Sequence, residues 1–298
     1  MRLEEMYLKD PSQPRISVEL IPSRTEEGRK NIVRSIEVLE PFNPAMFTVT
    51  YGLGGRTRDS TLNWVEQLSR LSQSEVMCHL SIVGQTKADL RQNLSRLEEM
   101  RVSNLIALRG DPLEGETRFV PFPGGFEHTV EFVSEIAAHS CFSVAVAGYP
   151  EIHPDAVGNR AADMDWLKRK VEAGGSVVYT QFFFDNAHFW RFREEAIIVG
   201  LKVPIVPGIL PIRSKEWLLK RAGKYGVSLP KKVSERLSGI ENDPKGMVNF
   251  GIELASEMCQ GLLADSVPGL HFYCLNHGEG VAKVLSSIGF SQTHRHTQ

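Results

Sequence analysis

Eight short runs rich in β-branched and aromatic residues recur along the chain, starting at Ile16 (ISVELI), Met46 (MFTVTY), Val76 (VMCHLSI), Asn104 (NLIALR), Ser143 (SVAVAGY), Ser176 (SVVYTQF), Pro204 (PIVPGI) and Gly269 (GLHFYCL). Runs of this length and make-up predict strands. Between them apolar residues fall at helical spacing, as in Ile32, Ile36 and Leu39 or Leu90, Leu94 and Leu97, after acidic or hydroxyl residues suited to an N-cap. A strand-to-strand interval of about 30 residues is that of a right-handed βαβ unit, and eight of them predict a closed (β/α)8 TIM barrel. A doubly wound open sheet is the alternative. The rhythm stretches once, between Pro204 and Gly269, where extra helices are expected at about 214–225, 230–237 and 244–263. With no linker or low-complexity stretch to divide it, residues 1–298 read as one domain with a short flexible tail from about 291.

Composition narrows the partners rather than the fold. The 298 residues are 42% hydrophobic and 23% charged, and 34 basic against 36 acidic residues give a net charge of -2. Without a run of five like charges there is no footprint for nucleic acid or an anionic membrane, so the expected partner is a small molecule. Cys78, Cys141, Cys259 and Cys274 lie far apart and read as buried thiols of a reducing compartment. The N-terminus carries acids where a secretory signal needs an apolar stretch, and no run is long enough to span a membrane, which points to the cytoplasm. The terminal THRHTQ reads as a frayed end rather than a metal site.

A barrel keeps its chemistry at the carboxyl ends of its strands. There the first run carries Glu19 in apolar surroundings, where a carboxyl group is either neutral and functional or paired, for example with Arg24. The second run ends in Thr50 and Tyr51 before GLGGRTRD, a glycine-rich turn that lacks the dinucleotide fingerprint. His79, then Arg109-Gly110-Asp111, Tyr149 to His153 and Gln181 to Asp185 follow at later strand ends. Singly, His79 reads as a core histidine, Arg109 with Asp111 as a loop pair, and Phe182-Phe183-Phe184 as core. Together they form a polar rim. No run ends in the lysine of a Schiff-base aldolase, and the first lacks the paired histidines of metal-dependent hydrolases, so no metal is expected. An isolated acid with basic residues and aromatic surface suits a large, flat, phosphorylated cofactor.

SVELIPSRT (17–25), FTVTYG (47–52), ALRGDP (107–112), GYPEIHPDA (148–156), LKRKVEAGG (167–175), TQFFFD (180–185), PIVPGILPI (204–212) and PGLHFYCLN (268–276), in this order, resemble the methylenetetrahydrofolate reductase family in its short form, the catalytic barrel alone. The resemblance implies an FAD-dependent oxidoreductase that reduces 5,10-methylenetetrahydrofolate to 5-methyltetrahydrofolate with NADH or NADPH by a ping-pong mechanism, in the one-carbon metabolism that feeds methionine biosynthesis. It implies a homo-oligomer without the regulatory tail of the eukaryotic enzymes. FAD would be held by Thr50, His79, Arg109, Gly110, Asp111, Tyr149, His153, Asp163, Arg169 and Lys170. Glu19 would be the general acid at folate N10, Asp111 the anion favouring the cationic intermediate, and Gln181 the pterin's hydrogen-bond partner.

The chain departs from that pattern at the ligand periphery. Trp217 stands at a glutamine position, Arg221 at an aromatic one, and His277, in Leu275-Asn276-His277, at an arginine that usually meets the folate glutamate tail. These three complete the expected substrate site. The alternatives on the same scaffold are a flavin-free or modified-pterin reductase and a non-catalytic flavin- or folate-binding paralogue.

Overall fold

Helices begin where the sequence offers caps. In the computed structural model, which describes residues 1–10, 13–51, 58–113, 115–116, 118–240 and 242–292, Thr25 accepts from the Gly28 N–H at the head of α2 (Glu26–Leu39) and Thr86 forms a reciprocal box with Asp89 at α4 (Lys87–Glu99). α2 buries Ile32, Ile36 and Leu39, and α4 buries Leu90, Leu94 and Leu97, the stripes their spacing predicts.

Between helices the chain lays down β1 (Arg15–Leu20), β2 (Met46–Val49), β3 (Glu75–Ser81), β4 (Asn104–Leu108), β5 (Ser143–Gly148), β6 (Gly175–Phe182), β7 (Ile205–Ile209) and β8 (Gly269–Tyr273). Every neighbouring pair is parallel, and β8 returns to β1 with Ser17 opposite His271 and Glu19 opposite Tyr273, closing a barrel in sequence order. The chain is a (β/α)8 barrel, not the open sheet. α3 (Arg58–Leu71), α5 (Thr129–Ala137), α6 (Arg160–Glu172) and α7 (Asn186–Ile198) cover it, with α11 (Gly278–Ser287) after β8. Ile16, Val18 and Leu20 of β1 join the outer core under these helices, so Ser17 and Glu19 turn inward.

Between β7 and β8 come the expected extra helices, α8 (Lys215–Tyr225), α9 (Lys231–Gly239) and α10 (Pro244–Ala264). They have a core of their own, in which Leu218, Ala222, Val233, Leu237, Met247 and Phe250 pack with Phe182, Phe184, Leu210 and Ile212. The aromatic run of β6 is indeed core, each ring under 5% exposed.

Two features were not read from the sequence. α1 (Leu3–Leu8), too short to show periodicity, inserts Leu3, Met6 and Tyr7 among Met46, Met77, Ile106, Val177 and Val206 and plugs the amino-terminal mouth of the barrel. Cys141 is exposed, contrary to expectation, because it lies in the connection between α5 and β5; Cys78, Cys259 and Cys274 are buried as expected. The glycine-rich turn at 52–57 and the histidines of the tail lie outside the described residues. Among the described residues no helix is long and apolar enough to cross a membrane.

Candidate active site

At the carboxyl ends of the strands a cleft of about 1900 Å³ opens. Ligand pockets are usually about 300–1,000 Å³, so there is room for a large cofactor and a second ligand. Inward-facing residues near the strand ends line its floor: Glu19 of β1, His79 of β3 and Gln181 of β6.

Glu19 faces His79, whose Nε2 lies 4.0 Å from Oε2, and its side chain is 14% exposed. Burial raises the carboxyl to about 8 and depresses His79 to about 3. Both are therefore neutral at pH 7, and this is a carboxylic acid over an uncharged imidazole rather than an ion pair. The Arg24 pairing is not what the strand builds, since burial alone sets the shift. His79 Nε2 bonds Thr48 Oγ1 at 3.0 Å, which fixes the ring. On the far side of β1, β8 contributes His271 and Tyr273. Ser17 Oγ holds His271 Nδ1 at 2.9 Å and the Tyr273 hydroxyl donates to the Thr180 carbonyl at 2.8 Å. Gly208 makes this possible, because a Cβ there would stand 2.6 Å from the Tyr273 ring.

The wall over β4 to β6 is cationic and aromatic. Arg109 pairs with Asp155 and lies over the Phe119 ring at 5.7 Å, so the anticipated Arg109–Asp111 loop pair does not form. Asp111 instead pairs with Lys224 of α8 at 2.7 Å. Gly110 takes φ +88°, a left-handed conformation, with Ser81 within 3.0 Å of where a Cβ would sit. Tyr149 and His153 meet edge to face at 4.5 Å. His153 Nδ1 accepts the Asp155 N–H, leaving Nε2 to carry the ring proton, and burial holds its pKa below the usual histidine value. Asp163 accepts the His153 N–H at 3.2 Å. Lys170 donates to the Ala147 carbonyl at 2.6 Å, and burial lowers its amine to about 8.

Of the expected residues, Thr50, His79, Arg109, Gly110, Asp111, Tyr149, His153, Asp163, Lys170, Glu19, Gln181, Trp217, Arg221 and His277 all line this one cleft. Arg169 does not. It points from the outer face of α6 to Asp165 at 2.7 Å and covers Trp166. Gln181 Oε1 accepts the Phe182 N–H at 3.0 Å, which leaves its amide NH2 for a ligand. Arg221 stacks on Trp217 at 5.3 Å and reaches the Tyr225 hydroxyl. Sequence reasoning missed Lys224, Asp155, Thr48, His271 and Tyr273. The last two were discoverable, as residues i and i+2 on the inner face of GLHFY.

The fold is a (β/α)8 barrel whose cleft sets a buried acid on its floor and arginine, lysine and aromatic side chains on one wall. The chain belongs to the methylenetetrahydrofolate reductase family, whose profile matches residues 5–289. It is 31% identical over 287 residues to the 5,10-methylenetetrahydrofolate reductase of Escherichia coli (strain K12), covering 96% of this chain and 95% of that one. It is 32% identical over 283 residues to methylenetetrahydrofolate reductase (NADH) 1 of Zea mays, covering 92% of this chain; this chain spans about half of the plant protein, 48%. Among solved structures, an uncharacterized protein from Clostridium thermocellum that binds two copies of 5-methyl-5,6,7,8-tetrahydrofolic acid has the same fold, with a TM-score of 0.66 at 14% identity over 96% of this chain and 97% of that one.

Proposed function

We propose that this protein reduces 5,10-methylenetetrahydrofolate to 5-methyltetrahydrofolate, with FAD as its bound carrier and NADH or NADPH as reductant, in the cytoplasm. The observation that carries the reading is Glu19, a carboxyl group kept protonated at neutral pH on the floor of a cleft large enough for two ligands.

The residues present fit FAD. Arg109 Nε is buried without a hydrogen-bond partner, an orphaned donor on the cationic wall, and the missing side chain of Gly110 leaves backbone open to close approach. Arg109, His153 Nε2 and Lys170 would meet the pyrophosphate, Tyr149 the ring system, and the free oxygen of Asp163 a ribose hydroxyl. Arg169, at 55% exposed, would contribute only by reorienting. Bound FAD would supply hydride, received from the nicotinamide and passed to the folate.

Glu19 then acts as general acid, giving its proton to N10 of the folate so that the five-membered ring opens to a cationic iminium. A pKa near 8 suits the role: the acid is loaded at pH 7, yet not so weak that it withholds its proton. Asp111 presents negative charge toward that cation, held against Lys224 so that it costs little in the resting site. The NH2 of Gln181 binds the pterin. Nicotinamide and folate use the same face in turn, hence ping-pong kinetics.

A visible spectrum under anaerobic conditions tests the reading. The protein should be yellow, bleach with one of the two nicotinamides, and recover its colour on adding methylenetetrahydrofolate. A colourless active protein would favour the flavin-free reductase, and a yellow protein that folate leaves bleached would favour the non-catalytic paralogue.

A further inference from the structure

The cleft has two groups of charged side chains. On the β4 to β6 side the cations have partners: Arg109 with Asp155, Lys224 with Asp111, Lys170 with a carbonyl. In the loops that leave β7 and β8 stand Arg213 and His277. Arg213 lines the cleft and has neither a hydrogen bond nor an ion pair among the described residues. Both residues also line a side chamber of about 100 Å³ that shares Pro211, Ile212 and Tyr273 with the main cleft and adds Glu279 and Lys283. A water's share of liquid volume is about 30 Å³, so the chamber is sized for a carboxylate rather than a ring. Its one acid is already neutralised, for Glu279 is paired with Arg34. Burial, and after it the positive charge of Arg213, holds the His277 pKa below the ordinary imidazole value. His277 is thus uncharged at neutral pH, beside a guanidinium that feels the charge of Glu279 but forms no ion pair with it.

We propose that Arg213, with His277 beside it, anchors the carboxylate tail of the pterin substrate, supplying from the loop after β7 the guanidinium that residue 277 does not. This rests on the folate reading above. The planar fork of arginine suits a carboxylate from a rim position, where one ligand end reaches solvent while its ring lies deep. The pterin would sit over Glu19 and Gln181, near the barrel axis, with its tail leaving between β7 and β8. The position 277 departure therefore moves the charge instead of abolishing it.

Direct binding decides the matter. Flavin-loaded protein is titrated with 5-methyltetrahydrofolate and with 5-methyltetrahydropteroate, which lacks the glutamate, following flavin absorbance. Wild type should prefer the glutamate-bearing ligand by about ten-fold or more, the range of one charge-assisted contact. Arg213→Gln should erase that preference and Arg213→Lys should keep part of it. Equal affinity of wild type for both ligands, or a preference that survives Arg213→Gln, overturns the proposal while leaving the folate reading in place. A loss in Arg213→Gln that falls on NADH or NADPH binding instead also overturns it, by making Arg213 a nucleotide residue. Failure of wild type to bind either pterin removes the folate reading and this inference with it.

Discussion

The two ends of the barrel interior are built by the same strands and behave as different materials. At the amino-terminal end, Met46, Met77, Ile106, Ala145, Val177 and Val206 close on Leu3, Met6 and Tyr7 of α1, all 5% exposed or less. Two residues further along, the inward positions become Thr48, His79, Tyr179 and Gly208, and β1 places Glu19 there. The lower half is closely packed, whereas the upper half holds polar groups and an open cleft. Because a strand alternates faces with a period of two, moving one step along the inner face exchanges stability for chemistry without altering the fold. Fold energy concentrates below, so a group such as Glu19 can be kept in unfavourable surroundings above.

The largest expected effect comes from removing the chemistry while keeping the shape. Glu19→Gln should slow flavin reoxidation by folate about 10²–10⁴-fold, the usual contribution of a general acid, with little change in flavin reduction by nicotinamide. A loss under ten-fold in stopped-flow reoxidation would remove Glu19 from the role. The same group leaves a signature in stability. Its folded pKa of about 8 lies above the ordinary 4.5, so the folded state holds the proton more tightly than the unfolded one. Stability is unaffected below pH 4.5, declines as pH rises toward 8, and stays reduced above it; the ceiling of that penalty is about 5 kcal/mol. Glu19→Gln should therefore be more stable than wild type at pH 9 and close to it at pH 4, as read by urea unfolding. In the folate half-reaction the wild-type rate should fall as pH passes about 8.

The mirror experiment is made in the lower half. Met77, 1% exposed on β3, lies one inward step below His79. Met77→Ala should cost about 2–5 kcal/mol of stability by leaving a cavity in the plug. Flavin binding in the cleft should hold its affinity within about two-fold once the variant is folded, a change well under 1 kcal/mol. Loss of flavin without loss of stability would mean that the two ends are not separable.

What could be read from sequence follows the same division. The eight strands and the three inserted helices were legible because burial enforces periodicity over many residues, and the caps of α2 and α4 were visible for the same local reason. α1 was not, since six residues with no repeat signal nothing until the barrel mouth they fill exists. At the site, positions at strand ends could be named, but their partners could not. Asp111 pairs with a lysine 113 residues away and Arg109 with an aspartate 46 away, contacts that only the closed barrel and its insertion create. Arg169 follows a helix position by sequence, yet α6 turns it outward to Asp165.

Asp111 sharpens the comparison at the rim. Asp111→Asn should slow reoxidation by folate by about ten-fold or more and reduction by nicotinamide less, since only the former passes through a cation on the pterin. It also leaves Lys224, 2.7 Å away, as an uncompensated positive charge near that cation. Lys224→Met restores neutrality, so the double variant should be faster than Asp111→Asn alone. Equal slowing of both half-reactions in Asp111→Asn would make the residue a structural one.

The smallest effect is expected at the seam between the halves. The Tyr7 hydroxyl meets Tyr179 at 2.7 Å and Ser17 at 3.4 Å, and Ser17 in turn holds His271, which lines the cleft. This chain of buried hydroxyls is a polar route from plug to cleft. Tyr7→Phe keeps the ring in place and removes a single donor. Its cost should be about 1 kcal/mol, the net worth of one neutral hydrogen bond, because Tyr179 can still turn toward Ser17. For a chain of this size that is a melting-temperature drop of about 1–2 °C. If the plug only supports, folate affinity should stay within about two-fold of wild type, since His271 keeps its bond to Ser17. A larger change in affinity than in stability would show that the position of His271 is set from below, and that the packed end of the barrel takes part in tuning the open one.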